Sequence, residues 1–208
     1  MRSHIIINIG RQLGSGGHDI GRMLAMDFGA KYYDRELLNL AAQESGFSEQ
    51  FFEQNDEKKG FMKSLFHMRA PHVSDINFYQ SDFSQEGLFK FQSEAIRKAA
   101  QQESCVFVGR CADYVLRDMP NVVNIFITAS MDFRVQQVMA KQQCTAKEAQ
   151  HKIEVGESNR ARYYNYYTGK HWGAAESYDL CICSSVLGLQ KTEQLIADFV
   201  RQRFSKLF

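Results

Sequence analysis

The stretch that decides the fold of this chain lies close to its N-terminus and runs Ile5-Ile6-Ile7-Asn8-Ile9-Gly10-Arg11-Gln12-Leu13-Gly14-Ser15-Gly16-Gly17-His18-Asp19-Ile20-Gly21. An apolar run of strand length leads into a cluster of glycines, and an amphipathic segment follows. This order predicts a strand, a glycine loop and a helix. Such a loop presents backbone N–H groups to an anion, with the positive end of the helix dipole behind them.

Two dehydrogenase-type patterns fit the loop only in part. The dinucleotide fingerprint G-x-G-x-x-G requires a glycine where this chain has Asp19, although Asp34 follows at about the distance of a ribose-binding acid. The loop of short-chain dehydrogenases resembles Gly10-x-x-x-Gly14-x-Gly16, and Tyr166-x-x-x-Lys170 resembles their Tyr/Lys pair. Thr168-Gly169, however, breaks the helix that should carry that pair on one face.

A phosphate-binding loop of the P-loop type is favoured. Gly14-Ser15-Gly16-Gly17 takes the place of Gly-x-Gly-Lys, and the four glycines from Gly10 to Gly17 exceed what close packing of a helix on a strand needs. The loop lacks the lysine and the hydroxyl of the usual Gly-Lys-Ser/Thr ending. The missing charge is therefore expected from Arg11, His18 or Arg22, and the choice among them stays open.

Asp19 has two interpretations. As a carboxylate it is a good magnesium ligand and can replace the missing hydroxyl. It is equally an acid in the first turn of a helix, where the helix dipole alone favours it.

Strand and helix patterns alternate along most of the chain, which predicts βαβ units and a parallel sheet. Strands are predicted at residues 5–9, 31–34, 105–108, 122–127 and 178–183, and helices at 16–28, 35–45, from 84 onward, 114–118, 131–142, 145–164 and 189–204. Residues 47–83 are polar, carry Pro71 and contain scattered aromatics, so they are predicted to form an inserted subdomain or a flap.

Composition and charge exclude several classes of protein. The 208 residues suit one medium domain, and the formal net charge of +1 argues against bulk affinity for nucleic acid or for an anionic membrane. The apolar runs are too short for a membrane span, and the first residues do not resemble a signal peptide. The five cysteines fit neither a disulfide framework nor a zinc pair, so a reducing cytoplasm is expected.

Three of the predicted strands end in distinctive loops, at Gly10–Gly17, Asp34-Arg35 and Gly109–Asp113. Ligands of parallel sheets bind at the carboxyl ends of the strands. The three loops are therefore expected to form one common site.

Several segments together resemble the cytidylate kinase-like branch of the P-loop kinases. The resemblance lies in Ile9-Gly10-Arg11-Gln12-Leu13-Gly14-Ser15-Gly16-Gly17-His18-Asp19-Ile20, Tyr32-Tyr33-Asp34-Arg35-Glu36-Leu37, Val108-Gly109-Arg110-Cys111-Ala112-Asp113-Tyr114, Arg160-Ala161-Arg162-Tyr163-Tyr164 and Tyr178-Asp179-Leu180-Cys181-Ile182. It covers nearly the whole chain apart from residues 47–83.

The resemblance implies a single three-layer α/β domain of the P-loop NTPase type over residues 1–208. Its parallel sheet has helices on both faces, residues 47–83 form a small inserted acceptor-binding subdomain, and about 156–173 form an arginine-bearing lid. Trp172 is expected to anchor the return of the lid to the core.

The glycine loop itself predicts that Gly14, Ser15, Gly16 and Gly17 cradle the phosphates of ATP, with Arg11, His18 and Asp19 beside them and, in the first of its two interpretations, Mg²⁺ on Asp19. The resemblance assigns roles to further residues. Asp34, Arg35, Arg110 and Asp113 line the acceptor nucleotide. Arg160 and Arg162 reach across the transferred phosphoryl group, and Arg110, Arg160 and Arg162 are the candidate catalytic residues. From the residues themselves, Asp34 serves equally well as a helix cap, and Asp113 as a partner of either a ribose hydroxyl or Arg110.

The expected function is ATP-dependent phosphoryl transfer to a nucleoside monophosphate, with CMP or dCMP favoured by the resemblance. Arginine suits this chemistry because its planar fork binds phosphate oxygens bidentately. Two alternatives remain, a nucleotide-binding module without useful kinase activity and a P-loop kinase of a non-nucleotide small molecule.

Overall fold

The computed structural model describes residues 4–35 and 82–205. Its strands are β1 (Ile6–Arg11), β2 (Lys31–Tyr33), β3 (Cys105–Val108), β4 (Val122–Thr128) and β5 (Leu180–Cys183). Its α-helices are α1 (Gly17–Asp27), α2 (Asp82–Gln102), α3 (Ala112–Val115), α4 (Met131–Gln142), α5 (Ala146–Thr168) and α6 (Ser184–Arg203).

The five described strands form one parallel sheet in the order β2-β3-β1-β4-β5. The predicted parallel sheet is thus confirmed. Strand β1 lies at its centre, where Ile6 is opposite Cys105 of β3 and Val122 of β4. From β1 the chain crosses to β2, on one side of β1 in the sheet. From β3 it later crosses to β4, on the other side of β1. This change of direction places a crevice between the carboxyl ends of β1 and β3, where ligands of such sheets bind.

One face of the sheet carries the main hydrophobic core. Alternate residues of β1, β3 and β4 point to this face because side chains alternate along a strand. They pack against α1 and α6, and the buried members of this core are Ile5, Ile7, Ile9, Ile20, Leu24, Ala25, Val106, Val108, Val123, Ile125, Ile127, Ile196, Ala197 and Val200. The glycine loop is therefore anchored on both of its flanks, by a buried strand before it and a buried helix after it.

The opposite face receives α3, which contacts β4. Right-handed crossovers require this separation, because the step from β1 to β2 and the step from β3 to β4 run in opposite directions along the sheet. Phe126 of β4 packs edge-on against Trp172 at 5.4 Å between ring centroids and against Tyr178 at 4.8 Å. Trp172 thus joins the segment after α5 to the sheet, as its predicted role as an anchor required.

Most predicted helices lie where expected, with three differences of boundary, one of which is that α6 begins at Ser184 and has a non-helical residue, Gly188, just before the predicted start at 189. Helix α4 has the predicted limits and is capped by Ser130, whose hydroxyl accepts from the N–H of Phe133. The predicted capping box of Thr145 and Glu148 is confirmed, but α5 continues to Thr168 and ends at Gly169, which has φ +69°. The helix predicted at 114–118 is found earlier, at 112–115.

Contacts divide the chain into two units, residues 1–35 with 96–208, and residues 36–95. Of the second unit, only the first part of α2 is described. The helix predicted at 35–45 lies outside the described residues after Arg35. The inserted subdomain predicted at 47–83 also lies outside them, apart from its last two residues. Within residues 4–35 and 82–205, no helix is both long and apolar enough to cross a membrane.

Candidate functional site

The glycine loop connects β1 to α1 and is closely packed between helices. Gly14 has φ +82° and Gly16 has φ +78°, a left-handed conformation that residues with a side chain adopt at a cost. Neighbouring atoms also crowd both positions, and at Gly14 these atoms belong to the backbone and cannot move aside easily. A Cβ at Gly14 would lie 2.6 Å from the carbonyl oxygen of Arg134 on α4, and one at Gly16 would lie 2.3 Å from Cδ2 of Leu189 on α6. The loop therefore has one conformation that only glycine satisfies.

Helix α1 begins without a side-chain cap. Its N-cap is Gly16, which makes no side-chain hydrogen bond, whereas α4 and α5 are capped by Ser130 and Thr145. The first N–H groups of a helix have no intrahelical acceptor, and together they carry the positive end of the helix dipole. A phosphate group at this end would accept from them.

Ser15 braces the loop from inside. Its side chain is fully buried, its hydroxyl donates to the carbonyl of Gln12 at 2.9 Å, and its N–H donates to the same carbonyl at 3.3 Å. The carbonyl of Ser15 accepts from the hydroxyl of Ser184 at 2.7 Å. The structure thus gives Ser15 a part in shaping the loop and does not bring its side chain to the surface where the glycines meet solvent.

A cavity adjoins the loop, and several positively charged side chains line it. Its described lining consists of Arg11, Gln12, Leu13, Gly14, Gly16, Gly17, His18, Gln137, Val138, Lys141, Gln142 and Arg160. The predicted residues Arg11, His18 and Arg160 are therefore brought together with the glycines. Lys141 and Gln12 also line the cavity and were not predicted.

Two arginines from different parts of the chain, Arg11 and Arg160, meet at this cavity, and the charge of Arg110 also acts on Arg11. Burial lowers the pKa of Arg11 well below the usual arginine value, and the positive charges of Arg160 and Arg110 lower that pKa further. Nη1 of Arg160 donates to the carbonyl of Arg11 at 3.4 Å, which holds α5 against the end of β1. Such crowding of like charges is unfavourable, and a bound anion would relieve it.

His18 is a neutral residue at this site. Its Nε2 lies 3.2 Å from Nη2 of Arg11, which can only donate, so Nε2 accepts. The ring proton therefore resides on Nδ1, which lies 2.9 Å from Oη of Tyr32 and 4.0 Å from the carboxylate of Asp34. Burial, and then the charge of Arg11, lower the pKa of His18 to about 4. His18 consequently adds no positive charge near pH 7.

The loop after β3 has an unusual backbone. Gly109, Arg110 and Cys111 have φ of +80°, +60° and +54°, so three consecutive residues are left-handed. For the two residues with side chains this conformation costs roughly 1–2 kcal/mol each. Strain of this kind concentrates at functional sites. In this conformation the guanidinium of Arg110 lies 5.3 Å from the ring centroid of Tyr163 on α5. Burial lowers the pKa of Arg110.

The predicted acceptor residues lie around this second loop. Asp113 accepts a hydrogen bond from the hydroxyl of Tyr164 at 2.7 Å, and burial raises the pKa of Asp113. After burial, the positive charge of Arg35 contributes to lowering the pKa of Arg110. Asp34 is buried beside His18. Whether Asp34 also caps the following helix lies outside the described residues.

Arg160 and Arg162 do not face the same way. Two residues of a helix differ by about 200° in direction, so only one of the pair can point at the loop. Arg160 lines the cavity, whereas Arg162 is exposed and is absent from the described lining. The structure thus brings Arg160 to the predicted site and leaves Arg162 on another side of α5.

Asp19 has a protein partner. Its carboxylate lies 2.5 Å from Nζ of Lys141, near the end of α4. Among residues 4–35 and 82–205, no group of three His, Cys, Asp or Glu side chains is arranged to hold a metal. Magnesium at phosphate sites usually takes one or two carboxylates and completes its shell with phosphate oxygens and water. Asp19 fits that pattern as a single ligand, and its role toward Mg²⁺ stays a prediction.

Comparison with known proteins gives consistent relatives. The model of the cytidylate kinase-like family matches residues 6–186. A cytidylate kinase of Methanosarcina barkeri (strain Fusaro / DSM 804) is 24% identical over 183 residues, which cover 87% of this chain and 85% of that protein. An uncharacterized protein from Eubacterium ventriosum ATCC 27560 has a solved structure with a TM-score of 0.72 at 27% identity, covering 95% of this chain and 98% of that one.

The fold also extends to more distant kinases. A shikimate kinase from Bacteroides thetaiotaomicron matches with a TM-score of 0.51 at 12% identity, covering 95% of this chain and 98% of that one. A gluconokinase from Sinorhizobium meliloti 1021 matches with a TM-score of 0.52 at 10% identity, covering all of this chain and 97% of that one. At such identities the likeness concerns the fold alone, and it confirms the predicted P-loop type of α/β architecture.

Proposed function

Because this chain belongs to the cytidylate kinase-like family, we propose that it transfers the γ-phosphoryl group of ATP to a nucleoside monophosphate, with CMP or dCMP as the favoured acceptor. The proposed setting is a reducing cytoplasm, as the cysteine content predicts. ATP supplies the phosphoryl group, and Mg²⁺ bound to its phosphates neutralises part of their charge.

The observation that carries this proposal is the cavity beside the uncapped start of α1, which Arg11 and Arg160 both line and where Arg160 donates to the carbonyl of Arg11. Phosphoryl transfer depends on positioning and on neutralising charge, with little covalent chemistry for the protein to perform. The helix N-terminus and the glycines would hold the donor phosphates, and Arg160 would approach them from α5. The crowding that lowers the pKa of Arg11 is an energetic reason for this cluster to bind a polyanion.

The acceptor would lie toward the end of β3. Arg110 would contact its phosphate, while Asp113 and the Asp34-Arg35 pair would line it. Residues 47–83 would complete the acceptor subdomain, and about 156–173 would act as the lid that excludes water and so limits hydrolysis of ATP. Arg162, on the other side of α5, would contact the nucleotides only if this segment moves on closure.

A second candidate, a nucleotide-binding module without useful kinase activity, is favoured by one specific observation. The chain has Gly17 and His18 where a P-loop has its lysine and hydroxyl. In addition, the nearby carboxylate of Asp19 is already paired with Lys141. A loop of this kind can bind phosphates through its backbone and still lack the groups that promote transfer.

One assay separates the two candidates. Purified protein with ATP and Mg²⁺ is offered CMP, dCMP, UMP, AMP and GMP in turn, and ADP formation is followed. We expect turnover with CMP or dCMP and its loss when EDTA removes Mg²⁺. ATP binding without turnover on any acceptor would support the binding module and contradict the kinase.

Arg110→Ala tests the acceptor site. A charge-assisted contact is worth about 1.5–3 kcal/mol, so its loss should lower kcat/KM for the acceptor by roughly 10- to 100-fold. Arg117→Ala is the matched control, because Arg117 is exposed and rests on Tyr114 in the same region. Equal activity of the two variants would remove Arg110 from the site.

A further inference from the structure

Gly17 stands where a P-loop has its lysine, and the structure shows what occupies the space of that side chain. A Cβ at Gly17 would lie 2.6 Å from Cβ and 2.8 Å from Cγ of Arg11. These two atoms are close to the backbone of Arg11 and cannot move aside easily. The stem of Arg11 therefore excludes any side chain at position 17.

Arg11 itself occupies a position that is glycine in a P-loop. In the motif G-x-x-x-x-G-K-[ST] the first glycine precedes the second by five residues. Counted from Gly16, that position is Arg11. The chain thus has a long cationic side chain where the motif has glycine, and glycine where the motif has a long cationic side chain.

The head of Arg11 reaches the neighbouring strand end. A Cβ at Gly109 would lie 2.1 Å from Nη1 of Arg11, so the guanidinium lies directly over the backbone at the end of β3. Its Nη2 is held by His18 at 3.2 Å. Its Nε is buried and has no hydrogen-bond partner among the described residues. A buried donor left in this way is costly unless a ligand satisfies it.

The other residues that could replace the charge of the P-loop lysine already have partners within the protein. His18 uses one ring nitrogen for Arg11 and the other for Tyr32. Arg22 is exposed, and its guanidinium lies 5.4 Å from the ring centroid of Tyr32. Lys141 is paired with Asp19 at 2.5 Å.

We propose that Arg11 performs the charge-neutralising role of the P-loop lysine toward the phosphates of ATP, and that Arg11 and Gly17 are an exchanged pair in which each residue requires the other. The proposal rests on the proposed function, since ATP is taken as the donor. His18 is the positioning residue that fixes the guanidinium. The cation of the phosphate-binding loop then comes from position 11 and not from position 17. The absence of lysine at Gly17 is therefore no loss of the phosphate-binding function.

The test is a four-protein cycle of the wild type, Arg11→Gly, Gly17→Lys and Arg11→Gly/Gly17→Lys. The double variant restores the glycine and the lysine of the standard motif. Each protein is measured for ATP affinity by calorimetry, for kcat with the best acceptor, and for Tm. We expect each single change to weaken ATP binding or kcat by about 10- to 100-fold, and Gly17→Lys also to lower the Tm because its side chain overlaps Arg11. The double variant should recover to within about tenfold of the wild type.

A second set of variants applies if the double variant does not fold. Arg11→Met keeps the apolar stem and removes the charge, whereas Arg11→Lys keeps the charge. We expect the first to lose ATP affinity and the second to retain most of it, with Arg117→Met, at an exposed arginine outside the glycine loop, as a control that behaves as the wild type.

Distinct results would overturn the two proposals. Unchanged ATP affinity and kcat in Arg11→Met, or a loss found only in Arg22→Met or Lys141→Met, would refute the role of Arg11 while leaving the kinase function intact. A wild type that binds ATP, with affinity that depends on Arg11, but never turns over would uphold Arg11 and refute the kinase. A wild type that does not bind ATP would refute both.

Discussion

The ion pair between Arg134 and Glu157 offers a quantitative test of how the glycine loop is supported. Arg134 is 5% exposed, and its Nη1 donates to Oε1 of Glu157, which joins α4 to α5. Its Nε is buried without a partner among the described residues, and its backbone packs against Gly14. The pair therefore holds together the two helices that lie over the loop.

Glu157→Gln should destabilise the protein because it leaves a buried guanidinium without its countercharge. Breaking a buried pair costs about 3–5 kcal/mol. The side chain of Glu157 is 21% exposed, and a glutamine oxygen still accepts one hydrogen bond, so we expect about 2–3 kcal/mol. Arg134→Met should cost less, about 1–2 kcal/mol, because water can solvate the remaining carboxylate in part.

The double variant Arg134→Met/Glu157→Gln should lower the free energy of unfolding by less than the sum of the two single variants. The reason is that the second change removes a charge that has already lost its partner. The measurement is urea unfolding followed by far-UV circular dichroism, with equal m values required for the comparison. Glu154→Gln is the matched control, an exposed position on the same helix expected to change stability by less than about 0.5 kcal/mol. A Glu157→Gln variant as stable as that control, or fully additive single changes, would refute the reasoning.

Three further predictions concern the loop, the acceptor side and α5. Gly16→Ala should lower the Tm and weaken ATP binding, because φ is +78° and Leu189 would have to move to make room for a Cβ. Normal binding by calorimetry would contradict this. Burial raises the pKa of Asp113. As pH rises above about 3.9, the carboxyl of Asp113 loses its proton in the unfolded protein but keeps it in the folded protein. The stability that Asp113 contributes therefore falls until the pH reaches the pKa of the folded state. Asp113→Asn, which still accepts from Tyr164, should therefore raise the Tm at pH 7 but not near pH 3, and an equal change at both pH values would show that its charge is not involved. Thr145→Ala removes the cap of α5 and should cost about 1 kcal/mol in urea unfolding; no change would mean that the capping box contributes nothing.

The sheet was predictable because its strands are short runs bounded by helical patterns, and three of them, β1, β2 and β3, end in glycine or an acid. Cys105–Val108 has the predicted limits, and the loop before α1 lies where the glycines indicated. The early start of α3 was not predictable in the same way. Arg110 and Cys111 adopt positive φ, and neither residue type favours that conformation, so no local signal marks the turn.

The site was only partly predictable for a geometric reason. The rule that ligands bind at the carboxyl ends of parallel strands predicted that Arg11 and Arg110 lie at one edge of the sheet, whereas Arg160, on α5, was expected there only from the family resemblance. Lys141 was missed because it belongs to a helix that reaches the loop through tertiary packing, and nothing in its own segment distinguishes it from a surface lysine. The opposite sides taken by Arg160 and Arg162 were in principle predictable, since two helical residues that are two positions apart point in directions about 200° apart.

The central position of β1 has a consequence for how the chain folds. Ile5 and Ser104, which are hydrogen-bonded at one end of the sheet, are 99 positions apart in sequence. The first strand must therefore wait for β3 and β4 before it gains either neighbour. Closing such long loops before any contact rewards them makes folding slow. On a ribosome, β1 emerges well before β3 and β4, and until they follow, its isoleucines are an exposed apolar strand that invites aggregation.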